Sequence, residues 1–148
     1  MVGYVFAILA SVTVSLGVVL WIRKSYRDYC VRMDRLDALR EIVSKNESAI
    51  NGLLSRLDSD YGGGISGSIS HNVRQKVEFS LNTIGTLPLE DQVRESKTLY
   101  DMTYETWERI RRNPDDILAV TSPLNSYCKE IARKKLNIIK KLAKEEET

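Results

Sequence analysis

The sequence predicts an all-α protein in which a single N-terminal transmembrane helix continues into a coiled-coil-like helix, followed by a Gly/Ser-rich hinge and a small helical bundle or hairpin. Three observations support this fold class. The stretch Val2–Ile22 holds no charged residue and is followed directly by Arg23 and Lys24, and about 20 apolar residues are what a membrane-spanning helix needs. Neither Pro nor Gly occurs between Ile22 and Gly52. Beyond that point, apolar residues recur at helical spacing.

Composition limits the function classes. A chain of 148 residues has room for one span and at most one modest domain, with predicted segments 1–22, 23–58, 59–70 and 71–148. The 22 Lys and Arg nearly balance the 20 Asp and Glu, which argues against a nucleic-acid partner. The single histidine, His71, has no cysteine or acid cluster at ligand spacing, and no nucleophile–base pair stands out. We therefore predict no enzyme, no cofactor and no metal.

The apolar run predicts a permanent anchor in a lipid bilayer rather than a cleaved signal peptide. No Lys or Arg precedes it, it is too long for a signal core, and it ends without a small-residue cleavage pattern. Basic residues follow it, which by the positive-inside rule predicts an outside N-terminus and a cytoplasmic region 23–148. Small residues recur every four positions along the run and predict a helix-association face, although such residues are common in membrane helices anyway. These positions are Gly3, Ala7, Ser11 and Ser15.

The segment 23–58 predicts one long helix with a seam at alternating spacings of three and four, typical of a coiled coil. Arg40 and Glu47 interrupt the seam, and Leu39, Ile42 and Leu53 widen the apolar face beyond it. A parallel homo-oligomer and packing against another helix of the same chain both remain open. For the homo-oligomer, the predicted interface consists of Met33, Leu36, Val43, Ile50, Leu54 and Leu57.

Four of the eight glycines fall in 59–70, so we predict a flexible hinge there. Three helical stretches follow. The first begins near Ser70 as N-cap and ends at Gly85, and the second runs from Leu87-Pro88 to Asn113-Pro114. After a short helical turn over 115–120, the third begins at Ser122 with Pro123 in its first turn.

Charge is segregated in the distal part. Seven acids lie between Glu78 and Glu108, whereas ten bases lie between Arg109 and Lys144. The two long helices could pair with opposed charges, or the basic stripe could be a solvated face, or it could contact an anionic membrane surface or an acidic partner. The stripe consists of Arg133, Lys134, Lys135, Lys140, Lys141 and Lys144.

The layout resembles that of phage inner-membrane spanins. It combines a short chain, an N-terminal anchor with Trp21 at its exit, Tyr26-Arg27-Asp28 just beyond, a coiled coil, a flexible break and a second helical region. The resemblance implies a periplasmic soluble part, dimers linked by disulfides of Cys30 and Cys128, and a C-terminus that engages an outer-membrane lipoprotein. From the residues alone, the two cysteines fit free thiols in a reducing compartment or an intermolecular disulfide in an oxidising one.

Two functions follow as predictions. The first is a single-pass membrane-anchored, non-enzymatic structural or adaptor protein that self-associates and presents a helical unit to an unidentified protein partner. The alternative is a spanin-like lysis protein that bridges the envelope.

Overall fold

The computed structural model describes the backbone of residues 2–61, 65–113 and 117–146, and the side chains of residues 15–61, 68–113 and 120–145. Every regular element in these ranges is an α-helix. The helices are α1 (Val2–Tyr61), α2 (Ile65–Ile84), α3 (Leu89–Arg112) and α4 (Ile117–Glu146). The chain divides into two compact units, Met1–Ala38 and Leu39–Thr148. The first contains the N-terminal part of α1, which we call the arm, and the second contains the remainder of α1 together with α2, α3 and α4.

The predicted transmembrane anchor is wrong. Within the residues that the structure describes, no helix is both long enough and apolar enough to cross a membrane. The predicted fold class is therefore incorrect in its membrane span. The predicted single-pass localisation, with the N-terminus outside and the C-terminal region cytoplasmic, is wrong as well. The same holds for the alternative localisation with a periplasmic C-terminal region.

The second unit is a four-helix arrangement around one apolar core. Helices α2 and α4 run in the same direction, because Lys76 contacts Asn125 and Ser80 contacts Cys128 further along both helices. Helix α3 packs against both of them. The core side chains come from all four helices and from the connection between α2 and α3: Ile50, Leu54, Leu57, Ile69, Val73, Val77, Ile84, Leu87, Leu99, Ile110, Val120, Leu124, Tyr127 and Ile131.

The hinge predicted over 59–70 differs from the structure. Helix α1 continues to Tyr61, and α2 already begins at Ile65, five residues before the predicted N-cap Ser70. Ile69 and Ser70 are buried, and the Ser70 hydroxyl donates a 2.6 Å hydrogen bond to Asp58 on α1. This burial and cross-helix bonding outweigh the weak helix propensity of glycine and serine. The connection between the two helices falls within 62–64, which lies outside the described residues.

The remaining helix ends follow local sequence signals, with one exception. Helix α3 begins after Pro88 with Glu90 and Asp91 in its first turn and has Arg109, Arg111 and Arg112 in its last turn, an arrangement that complements the helix dipole. The exception is α4, which begins at Ile117 and holds Pro123 in its interior, where we expected a new helix to begin. Val120 and Leu124 are both buried on either side of this proline, so core packing carries the helix through it.

Candidate functional site

A buried carboxylate is the most distinctive polar feature of the four-helix unit. The Glu95 side chain on α3 is only 3% exposed. Its Oε1 accepts hydrogen bonds from Lys134 Nζ at 3.0 Å and from Arg94 Nε at 3.2 Å. The Tyr127 hydroxyl lies 3.1 Å from Oε2 and 3.0 Å from the Glu95 carbonyl oxygen, so its single proton serves two acceptors. Because Tyr127 and Lys134 belong to α4, this cluster joins α3 to α4.

Charge pairing decides the protonation states in this cluster. Burial is the largest single influence on the pKa of Glu95 and would raise it. The hydrogen bonds from Lys134, Arg94 and Tyr127 and the positive charge of Lys134 act in the other direction and together hold the pKa below its ordinary value. Burial, reinforced by the adjacent Glu95 charge, raises the pKa of Tyr127. The pKa of Lys134 is raised, first by its hydrogen bond to Glu130 and also by that to Glu95. At neutral pH the cluster therefore holds a carboxylate, a neutral phenol and an ammonium group.

The cluster has a structural role: its hydrogen bonds hold α3 against α4, and we call it the lock between these helices. Both carboxylate oxygens are occupied by donors of the same chain, which leaves no free base. A cavity of about 230 Å³ opens next to the cluster, between the beginning of α3 and the C-terminal half of α4, and Asp91, Glu95, Asn137 and Ile138 contribute to its lining. The sequence showed the charge segregation behind the Glu95–Lys134 pair, but it held no signal that singled out Glu95 or its bond to Tyr127.

An extended exposed apolar surface lies on the described part of the arm. Its apolar side chains Val19, Ile22, Tyr26 and Tyr29 are 59%, 54%, 70% and 59% exposed. They continue the alternating three- and four-residue spacing backwards from Met33 and Leu36, which are half-buried on the same helix. We call these six positions the arm seam. Further apolar residues around it are also more than half exposed: Leu16, Val18, Leu20, Trp21 and Val31. An apolar surface of this extent is typical of a contact site.

The structure divides the predicted oligomer interface into two parts. Val43, Ile50, Leu54 and Leu57 are 7%, 0%, 1% and 2% exposed, and the last three belong to the apolar core of their own chain. Intramolecular packing thus accounts for the burial of this part of the predicted seam. Met33 and Leu36 lie in the arm, where the structure leaves the seam without such a core.

The remaining predicted site residues are dispersed. Gly3, Ala7 and Ser11 lie outside the residues whose side chains are described, and Ser15 is exposed on α1. In the basic stripe, Arg133, Lys140, Lys141 and Lys144 are exposed, whereas Lys134 and Lys135 are half-buried. Lys134 forms an ion pair of 3.0 Å with Glu95 on α3. One residue of the stripe is thus paired with another helix, and most of the others are exposed.

The cysteines and the other residues that could bind a metal ion are considered next. Among the described residues, no group of three or more His, Cys, Asp or Glu side chains could hold a metal ion. Cys30 and Cys128 are both free thiols of intermediate exposure, and the Cys128 Sγ lies 3.2 Å from the Ser80 hydroxyl. The intermolecular disulfides implied by the spanin resemblance remain a prediction.

The chain was compared with protein-family models, with curated proteins and with solved structures, and none of the three comparisons finds a match.

Proposed function

We propose that this chain is a non-enzymatic structural or adaptor protein that self-associates through the arm seam and presents its four-helix unit to a partner protein. The observation that carries the proposal is the exposure of four apolar residues of the arm seam, Val19, Ile22, Tyr26 and Tyr29. Further along the same helix, Ile50, Leu54 and Leu57 are buried inside their own chain. Exposure of that much apolar surface is unfavourable in water by about 25 cal/mol for each Å². Burial against another chain removes this cost.

A second copy of the same chain is the occupant that fits the seam best. The seam alternates three- and four-residue steps from Val19 to Leu36, and two such helices bury each other's seams when they coil together. From Val19 towards the C-terminus, the first polar residues in the seam are Arg40 and Glu47. Both belong to the second unit, which begins at Leu39. The apolar seam that is available for pairing with another chain thus ends where the four-helix unit begins.

Charge complementarity favours a parallel pair. With Val19, Tyr26 and Met33 at the first seam position of each heptad, Arg32 and Asp37 occupy the two flanking positions that face each other between parallel chains. Arg32 of one copy then lies opposite Asp37 of the other. Pairs of this kind set orientation and register more than they add affinity.

Disulfide trapping in the full-length chain tests the arrangement. In a parallel dimer Tyr29 lies at the seam, so Tyr29→Cys should cross-link rapidly under mild oxidation in a chain that also carries Cys30→Ser and Cys128→Ser, which remove both native thiols. The matched control is Asp28→Cys in the same background, because this neighbouring position points away from the seam. Fast dimer formation with Tyr29→Cys and slow formation with Asp28→Cys is the expected result. Equal rates for the two variants would refute a parallel seam.

The other half of the proposal concerns the partner of the four-helix unit. A unit with one closed core and a cross-helix lock at Glu95 presents fixed surfaces rather than a flexible chain. The function therefore divides by position: the arm assembles the protein, and residues 39–148 present the four-helix unit to a partner protein.

A further inference from the structure

We propose that the C-terminal part of α4, residues 133–144, binds an anionic phospholipid surface. This goes beyond the proposed self-association and does not depend on it, because the arm and α4 belong to different units. The starting observation is an exposed apolar row at the end of α4. Leu136, Ile139 and Leu142 are 50%, 51% and 55% exposed, although the helix buries Leu124 and Ile131 completely further upstream.

A row of positive charge runs beside this apolar row. Arg133, Lys140 and Lys144 are separated by seven and four residues, so they fall on one side of the helix. They are exposed, and Lys141 adds a further exposed cation. No acidic residue occurs between Glu130 and Glu145. The helix surface thus combines apolar side chains with a flanking cationic side, the pattern that amphipathic helices use to lie in the interface of an anionic membrane.

The structure favours a lipid surface over an acidic peptide. Peptides often bind in a groove or cavity, but the cavity next to this part of α4 is lined by two acids and two bases, so it has no net positive charge that would attract an acidic peptide: Asp91, Glu95, Arg94 and Lys134. A lipid surface instead contacts the exposed side of the helix, which carries the apolar row and the flanking lysines. Lys134 takes no part, because Glu95 and Glu130 already hold its ammonium group.

Vesicle co-sedimentation with the full-length chain tests the proposal. Vesicles of phosphatidylcholine are compared with vesicles in which about one third of the lipid is phosphatidylserine, at low and at physiological salt. We expect tighter binding to the anionic vesicles, weakened by added salt. Lys140→Glu should lower the affinity at least about fivefold and the double variant Lys140→Glu/Lys144→Glu about 25-fold, which corresponds to about 1 kcal/mol for each lysine.

A matched control separates a local contact from an effect of net charge. Arg56→Glu makes the same charge change at an exposed position of α1 and should leave binding unchanged. Equal binding to both kinds of vesicle, or an equal loss with Arg56→Glu, would overturn the proposal. Binding to polyglutamate but not to anionic vesicles would also overturn it and would identify an acidic protein as the partner. Unchanged thermal melting of the variants confirms that they fold.

Discussion

The lock between α3 and α4 gives the most quantitative prediction. Two cations contact the same oxygen of Glu95: Lys134 at 3.0 Å and Arg94 at 3.2 Å. Their side chains differ in exposure, 38% for Lys134 and 65% for Arg94. Coulomb attraction weakens where water screens the charges. The two cations should therefore contribute unequally to folding although their distances to the carboxylate are similar.

Replacing each cation by methionine keeps most of the aliphatic stem and removes the charge. Loss of a hydrogen bond to a buried charged group costs about 1.5–3 kcal/mol. Since Lys134 is partly exposed and Arg94 still contacts the carboxylate, we expect Lys134→Met to lower the free energy of unfolding by about 1–2 kcal/mol. Arg94→Met should have a clearly smaller effect.

Urea denaturation of the full-length variants, followed by circular dichroism, measures both losses. The double variants with Glu95→Gln complete the thermodynamic cycle. Coupling to Glu95 should be larger for Lys134 than for Arg94. The explanation fails if Arg94→Met destabilises the protein as much as Lys134→Met, or if Lys134→Met has no effect.

Three further outcomes can be tested by similar measurements. Because the pKa of Glu95 is lowered on folding, its contribution to stability is present above the ordinary glutamate pKa of 4.5 and is lost as the pH falls below it; urea titrations should thus show a gap between wild type and Glu95→Gln that is wide at pH 7 and closes in acid. Leu99→Ala, at a fully buried site, should cost about 2–5 kcal/mol in the same assay, whereas Leu136→Ala, at a half-exposed site, should cost far less, and equal losses would contradict the core assignment. Ser70→Ala removes the 2.6 Å bond to Asp58 and should lower the unfolding free energy by about 0.5–1.5 kcal/mol; hydrogen exchange should then accelerate at the α1–α2 junction, and unaltered exchange would show that the bond is dispensable.

Local periodicity predicted the helices well where their ends carry strong signals. The boundary at Asn113 and the acidic first turn of α3 both follow directly from residue types whose preferences are short-range. The extension of α2 back to Ile65 and the passage of α4 through Pro123 could not be predicted in this way. Both depend on burial of Ile69, Val120 and Leu124, and burial becomes known only when the helices are placed together.

The predicted transmembrane anchor shows that the composition of a segment alone can mislead. A charge-free run satisfies the compositional rule for a span, but the described helix supplies no stretch of sufficient length and apolarity. The seam illustrates a second ambiguity. The same spacing continues from Tyr26 to Leu57, yet Ile50 and Leu57 pack within the chain while Tyr26 stays exposed. Periodicity identifies an apolar face, and it does not identify what covers that face.

Molar mass in solution tests the central claim, self-association through the arm seam, most directly. Sedimentation equilibrium of the full-length chain should give a mass that rises with concentration to at least twice the 16.9 kDa of one chain. Tyr29→Asp/Met33→Asp places charges at the seam and should hold the protein at the mass of one chain, whereas Phe79→Asp, at an exposed apolar site outside the seam, should behave like wild type. A wild-type chain that stays monomeric, or a seam variant that retains the wild-type mass, would contradict the claim.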